Sequence, residues 1–272
     1  MRLRLPPPPW VVAHRGASAD RLENTIDACL LAVEIGAPML EVDVQLAADG
    51  ELVVFHDWTL ERLAGDGRAV ESLPSRELGA IELTVPARQG GEGSSPRRGH
   101  APTFAELLAA LPADLPLDVE VKRRHADRGR VAHAVARAVA GRENALVSSF
   151  DWEQLAAVRE LCPDQPLAPI ADRDATPLLA AGDRLGAWSL HAHRRLATPE
   201  LVAAAAAAGR PLLVYTVNEV EEARALFSAG VAGVFTDHPA RILESLPAAD
   251  TRRRSTASGP LFPRRGEREA GG

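Results

Sequence analysis

Residues 11–57 read VVAHRGASADRLENTIDACLLAVEIGAPMLEVDVQLAADGELVVFHD. Val11-Val12-Ala13 is a brief β-like run that stops at His14-Arg15-Gly16. A helical pattern follows, with Asn24 as the expected N-cap and Gly36 at its C-terminal end. Met39 to Leu46 reads as a second strand, and its parity is informative. Leu40, Val42, Val44 and Leu46 fall on one face; Met39, Glu41, Asp43 and Gln45 fall on the other. Two acids on one face of a buried strand need balancing charge, and a cation supplies it best. Asp49-Gly50 is a two-residue hairpin signal. Pairing outward from that turn predicts Asp43 opposite His56, with His56 on the face of Glu41 and Asp43.

The layout recurs downstream. Leu117, Val119 and Val121 face one way, Asp118, Glu120 and Lys122 the other. Thr103 opens a helix, with Glu106 completing a capping box. Helix-like and strand-like segments then alternate: 129–141 and 145–149, 152–161 and 167–170, 176–182 and 187–190, 199–208 and 212–217, 219–228 and 234–236. Eight strands, each followed by a helix, predict an α/β chain with a parallel sheet closed as a TIM (β/α)8 barrel, with a small hairpin and loop insertion after the second strand. An open doubly wound sheet is the alternative, but no Gly-x-Gly-x-x-Gly turn follows the first strand. The expected domain is 10–246. Residues 58–102 read as irregular, and the Gly/Ser/Arg-rich stretch 88–100 as a flexible surface insertion rather than a phosphate cradle. Residues 247–272, rich in arginine among Ser, Thr, Gly and Pro, read as a disordered tail.

A chain of 272 residues with 46% hydrophobic content suits one such barrel. A net charge of −6 argues against bulk nucleic-acid binding, and an anionic substrate would have to be attracted locally. Two cysteines make no disulfide framework; Cys29 reads as a core residue, and the pattern suits a reducing, cytoplasmic setting. The N-terminal MRLRLPPPPW lacks an apolar signal-peptide core, and no apolar run approaches the ~20 residues of a membrane span. The expected partner is a small molecule, without nucleic acid or stable membrane insertion; the oligomeric state is not encoded legibly.

At strand ends, Glu41, Asp43 and Glu120 would make a hard, all-oxygen site suited to Mg²⁺ or Ca²⁺. The bland alternative is a structural ion-pair network with Arg15 and Lys122. A zinc site would want close-spaced histidine or cysteine, and only His191-Ala-His193, expected to flank a strand end, offers it.

His14-Arg15-Gly16, Glu23-Asn24-Thr25, Glu41-Val42-Asp43-Val44, Asp49-Gly50, His56-Asp57, Glu120-Val121-Lys122, Thr216-Val217-Asn218 and Thr236-Asp237-His238-Pro239 occur in this order. In these motifs the chain resembles the glycerophosphodiester phosphodiesterase family over roughly residues 10–245. The resemblance implies that His14 and His56 are the acid–base pair and that Glu41, Asp43 and Glu120 hold a divalent cation, Mg²⁺ or Ca²⁺. It further implies that Arg15 and Lys122 contact the phosphate and that Tyr215 stacks on glycerol. The implied reaction hydrolyses a glycerophosphodiester to glycerol 3-phosphate and an alcohol. The substrate's own hydroxyl attacks phosphorus, through a cyclic phosphate. The chain departs from the family at Leu22, where proline is usual, and at Tyr215, where tryptophan is usual. Asn218 reads either as a substrate ligand or as the N-cap of the next helix. Asp237 reads either as support behind the site or as the cap of the last helix. Rival functions are a lysophospholipase D-like phosphodiesterase acting on lipid diesters and a non-catalytic barrel that binds phosphorylated ligands.

Overall fold

β1 (Trp10–His14) leads into α1 (Ile26–Ile35). The helix is capped by Thr25, whose hydroxyl accepts from the Ala28 N–H at 3.2 Å. Asn24, the expected cap, stands one residue earlier with a left-handed φ of 59°, and its amide is committed elsewhere. Gly36 ends the helix at φ 84°, as expected. β2 (Met39–Leu46) and β3 (Leu52–Val54) form the antiparallel hairpin. The turn, however, holds three residues between the paired Ala47 and Glu51, with Gly50 at φ 88°. That odd loop slips the register by one. Asp43 faces Phe55, whose N–H donates to the Asp43 carbonyl at 3.0 Å, and not His56.

This computed structural model describes residues 3–85, 96–122, 127–142 and 144–246. The stretch expected to be irregular after the hairpin is in fact a small folded unit. It contains β4 (Thr59–Leu60), α2 (Glu61–Ala64), β5 (Asp66–Ala69), α3 (Ser75–Ala80), β6 (Leu83–Val85) and β7 (Arg97–Gly99). Leu60, Leu63, Val70, Leu73, Leu78 and Leu83 pack into one apolar cluster with Leu22, Val53 and Phe55 of the neighbouring segments. Elements this short carry too few residues to display a period, which is why the sequence reads as loop. Much of the expected insertion at 88–100, and the whole expected tail from 247, lie outside the described residues.

α4 (Phe104–Ala110) carries the expected capping box of Thr103 and Glu106. The βα units then continue with β8 (Leu117–Val121), α5 (Arg128–Val139), β9 (Ala145–Ser149), α6 (Trp152–Leu161), β10 (Leu167–Ala171) and α7 (Leu178–Leu185). β11 (Leu190–His193), α8 (Pro199–Ala207), β12 (Leu212–Tyr215), α9 (Val220–Ser228), β13 (Gly233–Thr236) and α10 (Pro239–Glu244) complete them. β11 begins three residues later than expected, so His191 and His193 lie within a strand rather than flanking one. The eight parallel strands β1, β2 and β8 to β13 pair in chain order, and β13 returns to β1. The barrel is closed, and β3 is an extra strand on the edge of β2.

Helices pack outside the barrel on the outward-facing residues of the strands, among them Leu40, Val42, Val119 and Val147 near α4–α6, and Val11, Val214 and Val234 on the other side. Inside, Trp10, Val12, Met39, Leu146, Ala168, Leu213 and Phe235 form an apolar plug. Strand alternation lifts the next inward-facing layer above that plug, and there the polar side chains collect. No helix among the described residues is long and apolar enough to cross a membrane. Both cysteines are free, and Cys29 is buried as expected.

Candidate active site

The centre begins at the end of β1. Arg15 (φ 56°) and Gly16 (φ 81°) are both left-handed, which turns the chain sharply. A Cβ at Gly16 would sit 2.6 Å from the backbone of Ala28, so only glycine fits. The turn aims the Arg15 N–H at Glu41 Oε2, 3.0 Å away. It also sets the guanidinium 3.1 Å from Asp43 and 2.8 Å from Glu23.

β2 and β8 lie side by side with Asp43 opposite Glu120 and Glu41 opposite Asp118. Oxygens of Glu41, Asp43 and Glu120 consequently fall within 4.8 Å of one another. Asp43 is fully buried and held on several sides. On its edge, β2 pairs with β1 as far as Glu41 and with β3 from Val44 onward. The Asp43 N–H falls in that gap and donates to Asn24 Oδ1 at 3.1 Å, while Asn24 Nδ2 donates to Asp43 Oδ2 at 2.8 Å. Burial raises the Asp43 pKa, but Lys122 and Arg15 outweigh it and hold the group well below the usual carboxylate range. Glu41 goes the other way: burial, then the charges of Asp43 and Glu120, push it well up. Glu41 Oε1 has no hydrogen-bond partner among the described residues. An unsatisfied buried carboxylate oxygen in a cluster of carboxylates fits a hard divalent cation.

Lys122 donates to Glu120 at 2.5 Å and to Asp43 at 3.2 Å. Burial would lower its pKa, but these two carboxylates raise it above the ordinary value. The ion-pair network with Arg15 and Lys122 therefore exists, and it leaves part of the cluster's charge uncompensated. Lys122 uses two of its three protons on the carboxylates, leaving one for another acceptor.

His14 and His56 are arranged alike. His14 Nδ1 is 2.7 Å from Asp237 Oδ1, and His56 Nδ1 is 2.6 Å from Asp57 Oδ1. Ionised aspartates only accept, so each histidine donates from Nδ1 and its Nε2 is left free of that pairing. For Asp237, burial is outweighed by His14, Asn218 and Ser18, and the carboxyl stays far below its usual range. For Asp57, burial is outweighed by His56 and Arg62, which hold it at about 2. Asn218 donates to Asp237 Oδ2 at 2.8 Å and accepts the Asp237 N–H at 2.9 Å. It is thus not the cap of α9, whose N-cap is Glu219. Asp237 is not the cap of α10, which follows His238; it supports His14 from behind. His56 lies beyond the end of β3, near enough to Asp43 to help lower its pKa. Gln45 Nε2 fixes it there by donating to the carbonyls on either side, Phe55 at 2.9 Å and Asp57 at 2.7 Å.

His14, Glu41, Glu120 and Tyr215 line a cavity together with Asp118, Ser148, Ile170, His191 and Phe235. The Tyr215 hydroxyl donates to the Ala171 carbonyl at 2.8 Å, so its ring, edge-on to Phe235, forms the wall. Below lie Asp118, pushed well up by burial, and His191, pushed down to about 3 by burial. All eight candidate residues thus belong to one region at the barrel's C-terminal end. The support given by Asn24, Ser18 and Asn218 carries no signal in strand parity or spacing. A polar residue on the inward face of a buried strand, beside the acids already singled out, is the one mark that could point to Gln45 and Asp118.

A model described as the glycerophosphoryl diester phosphodiesterase family matches residues 14–241. A glycerophosphodiester phosphodiesterase of Caldanaerobacter subterraneus subsp. tengcongensis is 29% identical over 237 residues, covering 86% of this chain and 96% of its own. The solved structure of an Oleispira antarctica phosphodiesterase, in complex with the product sn-glycerol-3-phosphate, superposes with a TM-score of 0.78 at 26% identity, over 87% of this chain and 96% of that one. A glycerophosphodiester phosphodiesterase from Thermotoga maritima superposes with a TM-score of 0.70 at 26% identity, over 86% and 96%.

Proposed function

Since the chain belongs to the glycerophosphoryl diester phosphodiesterase family and is a phosphoric diester hydrolase, we propose that it cleaves glycerophosphodiesters to glycerol 3-phosphate and an alcohol. The observation that carries this reading is the pairing of two histidines, each anchored through Nδ1 to an aspartate, around one carboxylate cluster. Glu41, Asp43 and Glu120 would hold Mg²⁺ or Ca²⁺, which when bound supplies positive charge against the phosphoryl oxygens.

The chain's own residues do the rest. Arg15, anchored by Glu23 and Asp43, presents its remaining donors to the phosphate, and Lys122 offers its third proton. Nε2 of one histidine takes the proton of the glycerol hydroxyl next to the phosphate. That oxygen bonds to phosphorus as the bond to the leaving alcohol breaks, and Nε2 of the other histidine protonates the alcohol. Water then opens the cyclic phosphate. The advantage is proximity, because the attacking hydroxyl is already bound and oriented. Tyr215 packs its ring against the glycerol. Two free cysteines suit the cytoplasm as the compartment.

The test is turnover of glycerophosphocholine against its 2-deoxy analogue, with Mg²⁺, Ca²⁺ or chelator, followed by phosphorus NMR. The expected result is cation-dependent release of glycerol 3-phosphate, a transient cyclic phosphate, and turnover of the analogue lower by orders of magnitude. Equal rates for the two substrates and no cyclic species would overturn the route through the substrate's hydroxyl.

A further inference from the structure

Asp118 sits two residues before Glu120 on β8 and directly across from Glu41 on β2, so it shares the barrel interior with both. It is 1% exposed. Neither of its carboxylate oxygens has a hydrogen-bond partner among the described residues, and the same holds for Glu41 Oε1 and the Ser148 hydroxyl. Ser148 lies beside Asp118 but off hydrogen-bond geometry, and His191 Nδ1 stands 3.5 Å away. All four residues line the cavity beneath His14 and Glu120, whose free volume of about 20 Å³ has room for one water-sized occupant. Burying a carboxylate without partners is costly, and the cost is met either by protonation or by an opposite charge set against it.

Glu41, Asp43, Asp118 and Glu120 share this end of the barrel with two cations, Arg15 and Lys122, and Arg15 is also drawn to Glu23. With all four ionised, the carboxylates outnumber those cations, and a divalent ion held at Glu41, Asp43 and Glu120 would supply the missing positive charge. His191 cannot supply it, because its buried ring stays neutral.

We propose that Asp118 is an outer carboxylate of the cation site, facing the ion-holding side chains from the barrel floor and setting how tightly a divalent ion is held. It is not a direct ligand, since the mutually close oxygens are those of Glu41, Asp43 and Glu120 and leave it out. It acts through its neighbour Glu41 and across the small cavity it shares with Ser148. Because attraction grows with the charge of the ion, Asp118 favours divalent over monovalent cations. The assignment rests on the reading that the three carboxylates hold a divalent cation.

The experiment titrates Mg²⁺, and separately Ca²⁺, calorimetrically into the full, chelator-stripped chain, as wild type and as Asp118→Asn. Melting temperatures of the stripped proteins are measured alongside. Asp118→Asn is expected to bind either ion about tenfold or more weakly, while melting no lower than wild type without the ion. Asp118→Ala, which removes the charge without overfilling the site, provides a second neutral variant and is expected to weaken binding equally. Equal affinities in wild type and Asp118→Asn would overturn the role of Asp118 alone. A wild type that binds no divalent ion would instead overturn the reading of the three carboxylates, and the inference with it.

Discussion

His14 Nδ1 lies 2.7 Å from Asp237 Oδ1, joining the last residue of the first barrel strand to the residue that follows the last strand. The aspartate fixes which ring nitrogen carries the proton. Asp237→Asn keeps the shape but can offer an N–H where an acceptor is needed. Turnover is expected to fall by about a hundredfold or more, with little change in KM. A variant with wild-type turnover would remove Asp237 from the centre.

Asn24 is the second test. Its amide meets both the backbone and the side chain of Asp43, and its backbone is left-handed. Asn24→Gly preserves the backbone conformation and deletes only the amide. A loss of about 2 kcal/mol in unfolding free energy is expected, along with weaker Mg²⁺ binding. Urea denaturation and calorimetry check both; a variant unchanged in each would show that the amide is incidental.

Much of this architecture is legible in the sequence. Period-two alternation in 39–46 and 117–122 places Glu41, Asp43 and Glu120 inward without any coordinates, and those side chains do converge. What escapes is contact between distant positions. The bond from His14 to Asp237 depends on β13 closing against β1, and the bond from Asn218 to Asp237 on the neighbouring strand. No local pattern encodes either. The hairpin register slips because Asp49-Gly50 is compatible with loops of two or three residues, and one residue decides which face is paired. The cap moved from Asn24 to Thr25 because Asp43 competes for the Asn24 amide, a tertiary claim that overrides a local preference.

A pH prediction follows from His191. Unfolded, its imidazole takes a proton near 6.5; folded, burial delays this to about 3. Between those values the unfolded chain binds the extra proton, so stability falls as pH drops from about 6.5 toward 3. From pH 7 to pH 5 this one group is expected to remove about 2 kcal/mol. His191→Gln should lack that part of the decline in urea denaturation of the stripped protein. Identical slopes would show that His191 does not resist protonation in the fold.

Truncation tests the proposed domain bounds of 10–246. A chain ending after Leu246 is expected to keep its melting temperature and turnover, because the barrel's last helix ends at Glu244. A large drop in either would assign residues 247–272 a docked role.

Gln45 ties down the loop that carries His56, whereas His14 belongs to the barrel itself. His14 rides on the frame, and His56 on an attachment held by the Gln45 amide, the Phe55 N–H bond to Asp43 and the Arg62 grip on Asp57. The span between them is therefore an adjustable dimension. A descendant of this chain could vary the segment that carries His56 without recutting any of the eight staves.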